Sequence, residues 1–254
     1  MKIGAQMYTV REFCKTTEGL AESLKKIADI GYTTVQLSGV CDYDPAWMKE
    51  QLAANGLVCA CTHTKADRLL GETDAVSREH LAMDCRYVGL GGYHAFWQGD
   101  MQENYDQFLK LYKPVAKRFR ENGLYFMYHN HDKEFCQLQG KTILRKMAED
   151  FAPEELGFVL DTFWIQAGGA SPVEYIREFK GRVPCIHLKD YGMTVDGRIM
   201  TPVGEGNINF AAVAAACEDA GAEYLLVEQD NCNGDDPFDC LKRSYMNLRA
   251  LGLE

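Results

Sequence analysis

Three ionisable residues each follow a short apolar run at separate places in the sequence. Asp161 follows the run at 158–160, His187 follows 185–186, and Glu228 follows 225–227. If these runs are parallel strands of one barrel, their carboxyl ends open on one face and the three side chains converge there. Carboxylate and imidazole groups bind divalent cations such as Mn²⁺, Mg²⁺, Co²⁺ or Zn²⁺. The pattern predicts one divalent metal ion, although Asp161 alone could cap a helix and His187 alone could be a hydrogen-bonded core residue.

A fourth ligand is expected from the segment 128–135, with the sequence YHNHDKEF. His129 and His131 are two positions apart and share a face in extended backbone, while Glu134 follows in the loop. Four polar or charged residues among six are unusual after an apolar strand. The alternative is a polar loop that hydrogen-bonds to itself.

Other residues are expected near the same site. Lys189 alternates onto the side of His187, and a nearby metal would lower its pKa, which makes it a candidate proton donor or hydroxyl ligand. Arg11 and His63 follow the first and third runs and are candidates to contact an anionic or hydroxylated substrate. Three aromatic residues are candidates for stacking on the apolar face of a substrate, or for core packing: Trp164, Phe96 and Trp97.

The elements that must position these residues alternate along the chain. Eight short apolar runs occur at 2–7, 33–37, 57–61, 87–90, 124–128, 156–160, 184–188 and 224–227, with helical periodicity between them. Asp44 and Ser171 each precede a proline, as helix N-caps do, and glycines such as Gly123 and Gly221 follow helical stretches. About 250 residues in this alternation predict a single (β/α)8 TIM barrel spanning 1–254. A doubly wound open sheet is the main competitor, but no glycine-rich phosphate loop follows the first run.

Composition excludes several classes of function. The formal net charge of -10 argues against a nucleic-acid surface, and no segment is apolar enough to span a membrane. The first residues enter a strand-like run without the apolar stretch of a signal peptide. Ten scattered cysteines then indicate reduced thiols rather than a disulfide framework. We therefore expect a cytoplasmic protein.

Six motifs, in order, resemble those of the sugar phosphate isomerase/epimerase family, whose members have a xylose isomerase-like TIM barrel. Within it the chain is most similar to the branch that opens with Gln-Leu-Tyr-(Ser/Thr)-Val-Arg and continues with Tyr-His-Asn-His-x-x-Glu-Phe. The matching segments here are 4–11 (GAQMYTVR), 128–135, 161–164 (DTFW), 187–190 (HLKD), 203–206 (VGEG) and 227–230 (VEQD). The resemblance covers essentially the whole chain.

The resemblance implies a metal held by glutamate, aspartate, histidine and glutamate at the ends of the fifth to eighth strands. The last three fall on Asp161, His187 and Glu228. His129 occupies the register position where the isomerases carry the first glutamate, so the fourth ligand is either His129 or Glu134 reaching back from the loop. Arg198 resembles a loop position that touches substrate hydroxyls in the family, and a homodimer or homotetramer is plausible by the same resemblance.

The implied activity is proton abstraction beside a carbonyl of a small carbohydrate, through a metal-stabilised enediolate. In an isomerase or epimerase acting on a keto sugar, Glu228 removes the proton and His129 or His131 returns it. In a dehydratase or lyase acting on an inosose or 3-keto-glycoside, the same intermediate expels a substituent with Lys189 or a histidine as general acid. A carbohydrate-binding barrel without activity and a metal-dependent endonuclease are weaker alternatives, and the acidic charge opposes the second.

Overall fold

A computed structural model describes residues 1–253 and shows eight parallel strands closed into a barrel. Each strand pairs with its neighbours in the sequence, and the first pairs with the last. The barrel strands are β1 (Lys2–Gln6), β2 (Thr34–Leu37), β3 (Val58–His63), β4 (Tyr87–Leu90), β5 (Tyr125–His129), β6 (Leu156–Asp161), β7 (Cys185–Leu188) and β8 (Tyr224–Val227). The predicted (β/α)8 barrel is confirmed, and the open doubly wound sheet is excluded.

Helices surround the barrel and begin where the sequence places capping residues. Asp44 accepts hydrogen bonds from the first amides of its helix, and Ser171 caps the helix that begins at Pro172. Gly221 adopts a left-handed conformation at φ 80° where another helix ends. The helices are α1 (Thr17–Ile30), α2 (Pro45–Ala54), α3 (Ala66–Gly71), α4 (Thr73–Ala82), α5 (Met101–Glu121), α6 (Ile143–Asp150), α7 (Thr162–Ala167), α8 (Pro172–Glu178), α9 (Phe210–Ala220) and α10 (Pro237–Ala250).

Two apolar clusters fix the frame of the site. The larger lies between the strands and the helices, and a smaller one fills the barrel interior. The smaller cluster contains Ala60, Cys61, Tyr87, Met127, Val159, Cys185 and Leu226. Because each large apolar side chain contributes about 1.5–3 kcal/mol when fully buried, this packed floor is a rigid support for the strand ends above it.

One segment after β7 is more regular than its sequence suggests. Asp190–Thr194 and Gly197–Thr201 form an antiparallel pair, which we call the mouth hairpin. The buried carboxylate of Asp190 accepts backbone N–H groups from Tyr191, Gly204, Gly206 and Ile208. A Cβ at Gly206 would lie 2.6 Å from Asp190 Oδ1, so only glycine permits this approach. Asp190 therefore ties the following loop to the base of the mouth hairpin.

The ten cysteines are all free thiols, and most are buried. None of the helices in the described part of the chain is long and apolar enough to cross a membrane.

Candidate metal centre

Four buried side chains meet at the carboxyl ends of four adjacent strands. They are His129 at the end of β5, Asp161 at the end of β6, His187 in β7 and Glu228 directly after β8. One ligand atom from each lies within 4.8 Å of the corresponding atom of every other. We call these residues the four-ligand cluster. The three residues chosen from the sequence are thus brought together, and His129 joins them.

The atoms that face one another in the four-ligand cluster are those a cation would use. His187 Nδ1 lies 3.0 Å from Glu228 Oε2 and 3.6 Å from Asp161 Oδ2. His129 Nε2 lies 3.4 Å from the same Asp161 oxygen. Within the described residues, the buried Nδ1 of His187 makes no hydrogen bond of normal geometry, although a carboxylate oxygen lies 3.0 Å away. Two imidazoles and two carboxylates, with a buried nitrogen free of such a bond, fit a divalent cation of the Mn²⁺, Co²⁺ or Zn²⁺ type.

Asp161 performs two tasks with its two oxygens. Its Oδ1 accepts the backbone N–H of Trp164 at 3.0 Å and caps α7, while its Oδ2 faces the four-ligand cluster. Its own backbone N–H donates to Asn130 Oδ1 at 3.0 Å, which links the ends of β5 and β6. The capping role foreseen as an alternative is therefore real, and it leaves the second oxygen available to a metal.

Glu134, the alternative fourth ligand, points away from the four-ligand cluster. The hydroxyl of Tyr128 donates to Glu134 Oε1 at 2.5 Å, and the backbone N–H of His131 donates to Oε2 at 2.9 Å. Burial raises the pKa of Glu134 to about 7, and these hydrogen bonds offset part of that effect. Both carboxylate oxygens are thus used in holding the loop, and the structure brings His129 rather than Glu134 to the cluster.

Lys189 lies against the four-ligand cluster with its ammonium group fully enclosed. Its Nζ is 2.8 Å from Glu228 Oε2, 3.1 Å from Asp161 Oδ2 and 3.1 Å from Asp230 Oδ2. Burial lowers the pKa of Lys189, but the three carboxylates outweigh burial and raise it above its ordinary value. From the sequence we expected a bound cation to lower the pKa of Lys189. The surrounding protein groups by themselves raise it instead.

The pKa values of Asp161 and Glu228 shift in the direction opposite to that of Lys189. Burial raises the pKa of Asp161 and of Glu228, but the Lys189 ammonium and the hydrogen bonds and charges of His129 and His187 together outweigh burial and hold both below their usual range. For Asp230, burial and the neighbouring charge of Glu228 prevail, and the pKa rises to about 6. Asp161 and Glu228 are therefore ionised at neutral pH, as metal ligands must be.

Neutral rings line one side of the site. The His131 ring lies 4.8 Å from that of His129 and 5.2 Å from those of Trp97 and Trp164. Burial and the neighbouring His129 lower the pKa of His131 to about 2. His63 bonds Ser38 Oγ through Nδ1 at 3.2 Å, and burial holds its pKa well below the ordinary value. Both rings are uncharged at neutral pH and adjoin the cluster without being part of it.

A cavity of about 590 Å³ opens above the four-ligand cluster. His129, Lys189 and Glu228 line it, together with the expected contacts His131, His63 and Arg11. The Arg11 guanidinium stacks on the Tyr8 ring at 4.2 Å and donates to the carbonyls of Tyr8 and Asp230 at 2.8 and 3.1 Å. The positive charge of Arg11 is therefore fixed at the rim of the cavity.

The other expected substrate contacts do not line this cavity. Arg198 is a half-exposed residue of the mouth hairpin, 3.9 Å from Asp132, and it does not line the cavity. Phe96 is buried against Tyr93 and Phe108, so the alternative of core packing is correct for it. Trp164 packs between His131 and the Lys189 ammonium, which lies 5.6 Å from its ring. Trp97 is partly exposed next to His131.

Three further residues at the site were not singled out as functional from the sequence. Gln6 donates to Glu228 Oε1 at 2.7 Å, Gln36 lies 2.6 Å from His187 Nε2, and Asp230 bonds Lys189. The signal for Gln36 was the alternation of polar Thr34 and Gln36 with apolar neighbours, which places both on one face of β2.

Together the barrel and the four-ligand cluster define a class of protein, a (β/α)8 barrel with a candidate metal centre at the carboxyl ends of its strands. The chain belongs to the xylose isomerase-like TIM barrel family, whose family model matches residues 24–244. Comparison with curated protein sequences found no match.

Solved structures share the fold at low identity. A sugar phosphate isomerase/epimerase from Parabacteroides distasonis superposes with a TM-score of 0.82 at 18% identity, covering 98% of this chain and 94% of that one. An L-ribulose 3-epimerase gives 0.77 at 17%, with 98% and 94% covered. The probable 3-DHS dehydratase AsbF from Bacillus anthracis gives 0.74 at 15%, with 98% and 99% covered. These similarities establish the fold.

Proposed function

We propose that this protein is a divalent-metal-dependent isomerase or epimerase that acts on a keto sugar or a related polyol carbonyl compound. The observation that carries the proposal is the four-ligand cluster, whose buried nitrogen and oxygen atoms lie within 4.8 Å of one another at the floor of an open cavity. Epimerases among the structures that share the fold support the same reaction class.

His129, Asp161, His187 and Glu228 would hold the metal. When bound, the metal supplies positive charge that stabilises the negative oxygen developing as a proton leaves the carbon beside the carbonyl. Lys189, whose ammonium is enclosed between Asp161 and Glu228, adds a second fixed positive charge at the cavity floor. Substrate hydroxyls and any anionic group would meet the rim, where Arg11 is fixed.

Proton transfer falls to residues that line the cavity. Glu228 is ionised and would accept the proton from substrate carbon. His129 or His131 would return it on the other side. Because burial lowers the pKa of His131 to about 2, this ring is neutral and would relay a proton by releasing the hydrogen of one ring nitrogen to the substrate carbon while the other nitrogen takes a proton from solvent in the cavity.

A second candidate, a dehydratase or lyase acting on an inosose or 3-keto-glycoside, is favoured by Lys189. Its ammonium group lines the cavity and holds a proton, and a cation bound by Asp161 and Glu228 would weaken the carboxylate charges that now raise its pKa, which would make Lys189 a general acid for a departing hydroxyl or glycosyl oxygen. The first proton transfer is common to both candidates, and product identity separates them.

The test measures enolisation directly. Purified protein loaded in turn with Mn²⁺, Mg²⁺, Co²⁺ or Zn²⁺ is incubated in D₂O with a panel of ketoses, inososes and 3-keto-glycosides. We expect deuterium at the carbon beside the carbonyl of at least one substrate. Metal uptake without exchange on any of them would refute proton transfer and leave a carbohydrate-binding barrel. No metal uptake would refute the proposed centre.

Glu228→Gln tests the assigned base. We expect loss of deuterium exchange while measurable metal binding persists, because a carboxamide oxygen still coordinates but does not accept the proton. Glu223→Gln, at the opposite end of the same strand, is the matched control and keeps an acceptor for the Tyr87 hydroxyl. Exchange retained in Glu228→Gln would remove Glu228 as the base.

Light scattering of the same samples tests the expected dimer or tetramer.

A further inference from the structure

Two fully buried glutamines contact the four-ligand cluster from the first two strands of the barrel, the first of which pairs with β8. Gln6 ends β1 and Gln36 lies in β2, and the two are paired in the strand register. Each touches a different candidate ligand, Gln6 the carboxylate of Glu228 and Gln36 the imidazole of His187. The Gln6 amide is hydrogen-bonded at both its oxygen and its nitrogen, whereas the buried Nε2 of Gln36 has no hydrogen-bond partner among the described residues. Burying an unpaired amide group is costly, so the position of Gln36 has a reason beyond packing.

The orientation of the Gln6 amide is fixed by the backbone. The N–H of Tyr8 donates to Gln6 Oε1 at 2.6 Å, so the NH₂ group must face the other way. There it donates to Glu228 Oε1 at 2.7 Å. This bond occupies one carboxylate oxygen and directs the other, Oε2, toward His187 Nδ1 at 3.0 Å. Gln6 therefore acts as a hydrogen-bond donor to a candidate ligand.

The Gln36 amide has the opposite role. Nδ1 of His187 faces the carboxylates of Asp161 and Glu228, so a cation held there needs the Nδ1 lone pair. The ring proton must then sit on Nε2, which is 2.6 Å from Gln36 Oε1. If the amide were reversed, its N–H would face Nε2 and force the proton onto Nδ1, where it would block the cation. Gln36 therefore acts as an acceptor.

We propose that Gln6 and Gln36 are positioning residues of the metal centre: Gln6 fixes the carboxylate of Glu228 by donating to it, and Gln36 fixes the Nδ1-ligating tautomer of His187 by accepting from it. This inference rests on the metal site of the proposed function but not on the reaction. Partners of this kind typically change metal affinity by about 10- to 100-fold.

The donor and acceptor roles predict opposite results for one substitution. Gln36→Glu keeps an acceptor against His187 Nε2, so Zn²⁺ should bind at least as tightly as in the unaltered protein. Gln6→Glu removes the donor and places a carboxylate against that of Glu228, so Zn²⁺ should bind about 10- to 100-fold more weakly. Gln36→Met and Gln6→Met should both weaken binding by about the same factor. Titration calorimetry with Zn²⁺ at pH 8 measures all four.

Thr34→Val is the matched control for β2. Thr34 is buried two positions before Gln36 on the same face and contacts none of the four candidate ligands by hydrogen bond among the described residues. Its substitution should leave the Zn²⁺ dissociation constant unchanged. Circular dichroism and thermal unfolding confirm that each variant is folded before titration.

A measurement on the unaltered protein does not depend on whether the variants fold. Long-range ¹H–¹⁵N correlation spectra of the Zn²⁺-loaded protein report which nitrogen of each of the six imidazoles carries hydrogen, and His187→Gln assigns the His187 signals. We expect hydrogen on Nε2 and metal on Nδ1. Hydrogen on Nδ1, or equal Zn²⁺ affinities for Gln36→Glu and Gln6→Glu, would overturn the proposal. Failure of the unaltered protein to bind Zn²⁺ would instead overturn the metal site itself.

Discussion

The two halves of the barrel mouth differ in the chemistry they present at the same depth. The half formed by β5 to β8, which we call the acidic half, contributes the four-ligand cluster together with Lys189 and Asp230. The half formed by β1 to β4, which we call the amide half, contributes the side chains of Gln6, Gln36, Ser38 and His63. Ionised groups are thus gathered on one side and neutral donors and acceptors on the other.

The acidic half therefore contains the groups that would hold a cation, and the amide half contains neutral groups that orient them. Buried carboxylates are costly unless a cation compensates them, and Lys189 supplies that cation within the acidic half. The neutral amides facing them fix rotamers and a tautomer without adding further buried charge. At the rim of the amide half Arg11 is the exception, because solvent and two carbonyls share its charge.

Removing the internal cation should have the largest effect. In Lys189→Met the carboxylates of Asp161, Glu228 and Asp230 lose their common partner, so we expect a loss of about 3–5 kcal/mol in the free energy of unfolding. Urea unfolding with a chelator measures it. Adding Zn²⁺ should recover part of the loss because it supplies positive charge at the same carboxylates.

Lys25→Met is the control for this prediction, since Lys25 forms an exposed pair with Asp29. It should change stability by less than about 0.5 kcal/mol. If the two lysine variants unfold alike, the acidic half does not depend on Lys189 for compensation.

Asp161→Asn tests the acidic half as a ligand set. Asparagine keeps an oxygen that caps α7 but removes the charge of Oδ2, so the fold should persist while metal affinity falls by more than the roughly 100-fold typical of an outer-shell partner. Calorimetric titration with Zn²⁺ measures it. Asp44→Asn makes the same change at the cap of α2 and should leave affinity unaltered. Equal affinity in the two variants would contradict the cluster.

Glu134 gives a pH-dependent prediction outside the ligand set. Burial raises the pKa of Glu134 to about 7 in the folded protein, above the ordinary value near 4.5 that the unfolded chain has. The folded state therefore binds an extra proton between these values, and stability is lost as pH rises from about 4.5 to about 7, by about 3 kcal/mol.

Glu134→Gln removes this contribution while keeping hydrogen-bonding groups for Tyr128 and His131. The measured quantity is the unfolding free energy of the variant minus that of the unaltered protein, followed from pH 4.5 to 7.5. It should rise with pH. A constant difference would show that Glu134 binds no extra proton in the folded state.

Strand order explains why much of the site could be predicted. Asp161, His187 and Glu228 each end an apolar run, and parallel strands of a barrel necessarily bring such ends to one face. The choice between His129 and Glu134 was beyond the sequence, because the chain allows either to reach the cluster. The loop contacts decide it: the Tyr128 hydroxyl and the His131 backbone N–H take both carboxylate oxygens of Glu134, and His129 is left facing the cluster.

Contacts between distant segments could not be predicted in the same way. Gln36 meets His187 across 151 positions of sequence, which requires the closed register of the barrel. The mouth hairpin depends on the carboxylate of Asp190, whose partners are backbone amides as far away as Ile208. Every residue except proline has a backbone N–H, so the sequence does not show which of these groups will need a side-chain acceptor.

Arg11→Met probes the rim of the amide half and should have the smallest effect. Arg11 lines the cavity but lies outside the four-ligand cluster, so we expect KM for a substrate identified by deuterium exchange to rise about 10-fold, equivalent to about 1.4 kcal/mol, with the Zn²⁺ dissociation constant unchanged. Arg198→Met is the matched control on the mouth hairpin and should change KM less, because Arg198 does not line the cavity. A larger effect at Arg198, or weaker metal binding in Arg11→Met, would mean that the rim and the ligand set are not divided between the two halves.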